Sequence, residues 1–195
     1  MARRGSYAKG VARREEILQS ALEVIGRSGY RNASLKQIAE GVGVTPAALL
    51  HYFGSKEELF TAVLRARDER DELSPRLRDP LHAKTAFLDV VRHNTEVPGV
   101  VELFSRLSVD AGDPEHPAHA YFLERSERLR GSVAEAFDGD AERRAVLDPD
   151  TMGRVIQAVA DGLQLQWMID PEVDMPGIIE ALLDVLYPPA SDSGA

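Results

Sequence analysis

The chain has 195 residues, with 23 Lys and Arg against 32 Asp and Glu and a formal charge of −9. It contains no cysteine, which excludes disulfide frameworks, thiolate zinc sites and cysteine nucleophiles together. With 44% hydrophobic and 28% charged residues it has the composition of a soluble globular protein, and no apolar run approaches the ~20 residues needed to cross a bilayer.

Residues 1–10 read as a flexible basic arm. Arg3, Arg4, Lys9, Arg13 and Arg14 stand together with no acid among the first fourteen positions. The segment lacks the apolar stretch of a signal peptide, so a cytoplasmic location is expected. Residues 1–65 hold ten Lys/Arg and six Asp/Glu, whereas the remainder holds thirteen and twenty-six. Such a chain repels polyanions over most of its surface and attracts them at one pole, although a basic tail can also be merely solvated.

Helical periodicity follows, beginning with Ile17, Leu18, Ala21, Leu22 and Ile25 on one face of a first helix that closes near Gly29. A short second helix is predicted from about Leu35 to Val42. Ser34 is its N-cap, Gln37 the capping-box partner, and Ala33 and Ile38 occupy the staple positions. Gly43 supplies a turn. Thr45 as N-cap and Pro46 at the first helical position open a third helix through about Tyr52, closed by Phe53 and Gly54. Ser55 with Glu58 forms another capping box, launching a fourth helix into the charged run Arg67 to Glu72. Beyond a break at Pro75, helices are expected near 81–95, 98–110, 115–137, 150–169 and 176–187. Pro114, Pro149, Pro171 and Pro176 punctuate them, and residues 188–195 form a flexible tail. The fold class is all-α: an N-terminal three-helix helix-turn-helix DNA-binding domain followed by a helical ligand-binding and dimerisation domain. The expected boundaries are 11–55 for the first and 56–187 for the second, with 56–72 as a linking helix.

Two short helices joined by a glycine turn and braced by longer ones have helix-turn-helix geometry, in which the second short helix enters the major groove. Ile38, Val42, Val44 and Leu49 have the spacing to pack the pair together. Residues 13–60, and above all the run from Ser34 through Thr45-Pro46-Ala47-Ala48-Leu49-Leu50-His51-Tyr52-Phe53-Gly54-Ser55-Lys56 to Leu59, resemble the DNA-binding domain of the tetracycline-repressor (TetR) family. Asp161-Gly162-Leu163-Gln164-Leu165-Gln166-Trp167 is similar to a stretch in regulators of that family.

The resemblance implies a homodimeric transcriptional regulator, usually a repressor, that leaves a double-stranded operator when a small-molecule effector occupies its carboxy-terminal domain. Carried over by position, Thr45, Pro46, Ala47 and His51 would face bases or the groove, and Ser34, Lys36, Tyr52 and Lys56 would hold phosphates. Leu50 departs from the family, which more often has an aromatic there, and this puts one backbone contact in doubt. Gly41 and Val42 stand where small alanines are common, and Gly41 costs its helix up to about 1 kcal/mol. Each assignment has a plainer alternative. Thr45 can be a cap alone, His51 can be an idle surface histidine, and Lys36 can be solvated. Lys56 sits at a helix start where its charge opposes the dipole, which makes better sense with a phosphate beside it. The third helix lacks Arg, Asn and Gln, the usual bidentate readers, so Pro46 and Ala47 would meet thymine methyls. The arm or DNA shape would supply further choice.

Ile156, Val159, Leu163, Ile179, Leu182, Leu183 and Leu186 exceed the apolar face that one protomer needs, so they are expected at a dimer interface. Two recognition helices about one DNA turn apart then predict a near-palindromic operator. Phe87, Val91, Asn94, Phe104, Tyr121, Gln164 and Trp167 are the candidate ligand-binding residues, with ordinary core packing as the alternative for each. No cofactor or metal is expected: His116 and His119, separated by Pro117, are not a helical ligand pair. The rival readings are an all-α enzyme and a helical interaction module, each with an incidental helix-turn-helix. No nucleophile, metal or phosphate-cradle signature supports the first, and the second leaves the basic arm, Lys36 and Lys56 unexplained.

Overall fold

The computed structural model describes residues 2–72, 83–138, 146–186 and 188. The expected break at Pro75, the start of the helix placed from 81 and the tail beyond Pro188 lie outside the described residues, as do the side chains of Arg3 and Arg4. Among the described residues there are nine helices and no strand: α1 (Ala2–Asn32), α2 (Leu35–Gly41), α3 (Pro46–Phe53), α4 (Lys56–Glu72), α5 (Ala83–Glu96), α6 (Pro98–Asp110), α7 (Ala118–Asp138), α8 (Pro149–Ile169) and α9 (Met175–Leu186). The fold is all-α, as the periodicity predicted. None of these helices is long and apolar enough to cross a membrane.

The chain forms two compact units that interleave in sequence. One comprises residues 1–69 and 97–121, and the other 70–96 and 122–195. In the first, α1 buries Ile17, Leu18, Ala21 and Ile25, each worth roughly 1.5–3 kcal/mol for the larger side chains. The backbone of residues 2–10, expected as an arm, is helical and continuous with α1. Gly29 interrupts that helix at φ 73°, ψ 164°, a conformation open almost only to glycine. Here α6 packs along α1. Their backbones touch, because a Cβ on Gly99 would overlap the carbonyl oxygen of Ile25. Gly99, Val100, Val101, Leu103, Phe104 and Leu107 are the buried face of α6.

The second unit is built from α5, most of α7, α8 and α9, with α9 packed against both α5 and α8. Asp148 caps α8 by accepting from Thr151 N–H at 3.0 Å, and Pro149 is the first helical residue. Met152, Ile156, Leu163 and Trp167 of α8 are buried, with Met175, Ile179, Leu183 and Leu186 of α9. Five of the seven residues expected at a dimer interface are among these packed side chains. Ile156, Leu163, Ile179, Leu183 and Leu186 are buried inside a single protomer, and Val159 and Leu182 are half-buried. A helical period identifies residues that share a face, but not whether that face meets its own chain or a second copy. The large apolar residues left exposed on these two helices are Leu165, Met168 and Ile169 of α8 and Ile178 and Val185 of α9.

Candidate nucleic-acid interface

The local sequence builds this interface with side-chain caps. Ser34 Oγ accepts from Gln37 N–H at 3.2 Å, while Gln37 Oε1 accepts from Ser34 N–H at 3.0 Å, completing the capping box that starts α2. Ala33 and Ile38, at the staple positions, are both buried. After the turn at Gly43, Thr45 Oγ1 accepts from Ala48 N–H at 3.2 Å and Pro46 opens α3. Each cap is worth about 1 kcal/mol, a large share of what helices of seven and eight residues can hold.

These caps decide which atoms remain for a partner. Ser34 Oγ also donates to Gln37 Oε1 at 2.9 Å, so its hydroxyl is engaged both as donor and as acceptor. Thr45 spends only a lone pair, and its hydroxyl hydrogen stays available to an acceptor outside the chain. Capping and base contact are therefore compatible at Thr45, which the sequence had set against each other.

Leu49 and Phe53 point α3 into the interior. Thr45, Pro46, Ala47, Leu50, His51 and Tyr52 are exposed on its other side, and the His51 and Tyr52 rings meet edge-on at 6.3 Å. Lys36 projects into solvent with only a loose 3.9 Å pairing to Glu40, a surface contact of little net worth. Lys56, the first residue of α4, is half-buried, with Nζ 5.0 Å from the centroid of the Phe60 ring and 5.8 Å from that of Tyr30. Ser55 caps the same helix end by accepting from Glu58 N–H at 3.0 Å. The eight expected DNA-binding residues thus lie on α2, on α3 and at the start of α4, all within one compact unit.

Several supports escaped the sequence reading. Arg13 Nη2 donates to the carbonyl of Val42 at the end of α2, where a cation suits the helix dipole. Arg14 stacks its guanidinium 4.9 Å from the Phe53 ring centroid. Both had registered only as charge, because partners 29 and 39 positions away leave no local trace. Gly41 lies close against α1: a Cβ there would meet Ser20 Oγ, which bonds the carbonyl of Ile38 at 3.2 Å. The glycine's cost to α2 is thus tied to a close helix approach.

The candidate ligand residues fall in both units. Phe87 is half-buried and Val91, Asn94, Gln164 and Trp167 are buried in the second. Phe104 and Tyr121 are buried in the first, where the Tyr121 hydroxyl donates to Asp68 at 2.6 Å and the Arg65 guanidinium lies 5.5 Å from its ring centroid. Between α7 and α8, burial pushes the Asp161 carboxyl above its ordinary range, an effect opposed by Arg125 and by a hydrogen bond with Gln157. His116 accepts from Ala118 N–H at 3.1 Å, and His119 donates to the carbonyl of Ala111 at 2.8 Å.

Residues 17–63 match the family described as "Bacterial regulatory proteins, tetR family". Over 191 residues the chain is 30% identical to the HTH-type transcriptional regulator TcmR of Streptomyces glaucescens, covering 90% of this chain and 83% of that one. Among solved structures it is similar to a TetR transcription regulator from Haloarcula marismortui, with a TM-score of 0.72, 19% identity, and 91% and 99% of the two chains covered. NalD of Pseudomonas aeruginosa, named as the secondary repressor of the MexAB-OprM multidrug efflux pump, superposes with a TM-score of 0.62 at 22% identity, covering 95% of this chain and 100% of that one. These last two likenesses are of fold. The chain belongs to the tetR family of bacterial regulatory proteins and is a DNA-binding transcriptional regulator, not an enzyme.

Proposed function

We propose that the protein is a cytoplasmic, dimeric repressor that reads a near-palindromic operator and releases it when a small molecule enters its C-terminal helices. The observation that carries this reading is the exposed edge Thr45–Tyr52 of a capped helix, with Lys36 exposed on the helix before it and Lys56 at the start of the helix after it. Thr45, Pro46, Ala47 and His51 face the bases. Lys36, Tyr52 and Lys56 hold the backbone, joined by Ser34 when its hydroxyl turns from Gln37 Oε1 to a phosphate, with residues 11–55 as the reader and 56–72 as the linking helix. Pro46 and Ala47 offer only carbon to the groove, so thymine methyls are their partners. The body spanning 56–187 supplies the rest. Leu165, Met168, Ile169, Ile178 and Val185 form the exposed apolar surface through which two protomers join. Within the second unit, Phe87, Val91, Asn94, Gln164 and Trp167 combine apolar lining with two amides, the make-up of a small-molecule site. Phe104 and Tyr121 serve the packing of the first unit, where Tyr121 is already taken by Asp68. Release follows to the extent that the ligand prefers the dimer shape whose recognition helices are wrongly spaced.

Fluorescence anisotropy with the duplex upstream of the protein's own coding region tests this reading. Specific binding with steep salt dependence is expected, because several phosphates are neutralised per dimer. Thr45→Val should change operator preference, and Lys56→Ala should weaken all duplexes alike. Equal, weak binding to every duplex would sink the reading.

A further inference from the structure

Glu102 of α6 meets the end of α1 where Gly29 breaks the helix. Gly29 turns the following peptide off the helical ladder, and Tyr30 N–H donates to Glu102 Oε2 at 3.2 Å. The other carboxylate oxygen, Oε1, accepts from Arg106 Nε at 3.0 Å and lies 3.4 Å from Arg31 Nε. The carboxylate is three-quarters buried. A charge-assisted bond to a backbone N–H that has lost its helical partner is among the stronger single bonds a surface can make. The Tyr30 ring packs edge-on against Phe60 at 5.6 Å between centroids. Two cations bracket it: Arg106 of α6 at 5.9 Å from its centroid and Lys56 of α4 at 5.8 Å. Burial, with Asp110 and Glu57 nearby, pushes the phenol up, so the two cations meet a neutral ring and are drawn to it by its quadrupole.

We propose that Glu102 is a positioning residue for DNA binding. By holding Tyr30 N–H it fixes the ring on which the Lys56 side chain rests, and so places the Lys56 ammonium for a phosphate. The inference rests on the reading of Lys56 as a phosphate contact. Without Glu102 the Tyr30 peptide can rotate, its ring leaves Lys56, and the ammonium keeps only Phe60 and samples more positions. Glu102 itself carries the wrong sign for DNA, so a loss of binding on its removal is opposite to what charge alone dictates.

The test uses the intact protein and a duplex selected by the wild type from a randomised pool, over a salt series. Lys56→Ala is expected to reduce the steepness of salt dependence by about 1 per protomer. Glu102→Ala should do the same, and the double variant should bind within about twofold of Lys56→Ala alone. In the free protein, amide hydrogen exchange at Tyr30 should accelerate at least about tenfold in Glu102→Ala as the bond is lost, and Glu102→Gln, which keeps an acceptor, should restore protection and slope. If Glu102→Ala does not fold, Glu102→Asp, one methylene short but still charged, must show the same coupling to Lys56. Fully additive losses, a wild-type slope in Glu102→Ala or unchanged exchange at Tyr30 in that variant overturns the proposal. An unchanged slope in Lys56→Ala alone overturns the Lys56 reading beneath it. A normal Lys56 effect with a silent Glu102→Ala overturns only the positioning role.

Discussion

The reader helices α2 and α3 are seven and eight residues long and owe their ends to side chains three positions away, whereas α8 and α9 run for 21 and 12 residues and owe their place to one another. Short helices lean on caps, since too few residues are buried to hold them otherwise. Long ones lean on a buried stripe, and a missing cap costs them a smaller share. Local chemistry therefore sets the shape of the short helices, while distant packing sets that of the second unit.

Six substitutions in four sets test that contrast, from the largest expected effect downward. Leu163 and Leu165 sit two positions apart on α8, the first buried and the second 49% exposed. Leu163→Ala should cost about 2–5 kcal/mol in urea unfolding. Leu165→Ala should leave the protomer within about 0.5 kcal/mol and weaken self-association in sedimentation instead. The reverse pattern would return the interface to the stripe read from the sequence. Next, Gly99→Ala forces a methyl against the Ile25 carbonyl and should cost about 2–3 kcal/mol, whereas Gly131→Ala, with open space around it on α7, should gain about 0.5–1 kcal/mol. Ser34→Ala removes the α2 capping box and should cost about 1 kcal/mol, read as faster amide exchange across α2.

The smallest effect concerns Asp161, whose folded pKa is raised by burial. The native state binds that proton more tightly than the unfolded chain does, so stability falls as pH rises through the folded value and the penalty is complete above it. Asp161→Asn does not titrate there. Relative to that variant, wild-type Tm should fall as pH rises out of the ordinary carboxylate range towards neutrality. A constant difference across that range would mean that Arg125 and Gln157 offset the burial fully.

The same contrast explains what the sequence made legible. Ser34 with Gln37 and Thr45 with Pro46 announce helix starts because donor, acceptor and cap lie within four residues, and the structure has both. Helices expected at 98–110 and 150–169 occur at Pro98–Asp110 and Pro149–Ile169, since proline marks its own boundary. Partners far apart in the chain were beyond reach. Nothing near Arg13 announces Val42, and nothing near Tyr30 announces Glu102, 72 positions on. The outward face of α8 was illegible for a different reason: Leu163, Leu165, Trp167, Met168 and Ile169 are apolar nearly all round the helix, so hydrophobicity alone does not choose a side.

Because residues 97–121 complete the same compact unit as the reader, the groove along α1 is filled by a segment that arrives in the chain only after α5. A fragment cut at Glu72 would leave Ile25 and the Gly29 bend bare to water. Transplanting this reader onto another protein therefore means carrying α6 with it, and during synthesis the reader cannot reach its mature form until the ribosome has delivered that later helix.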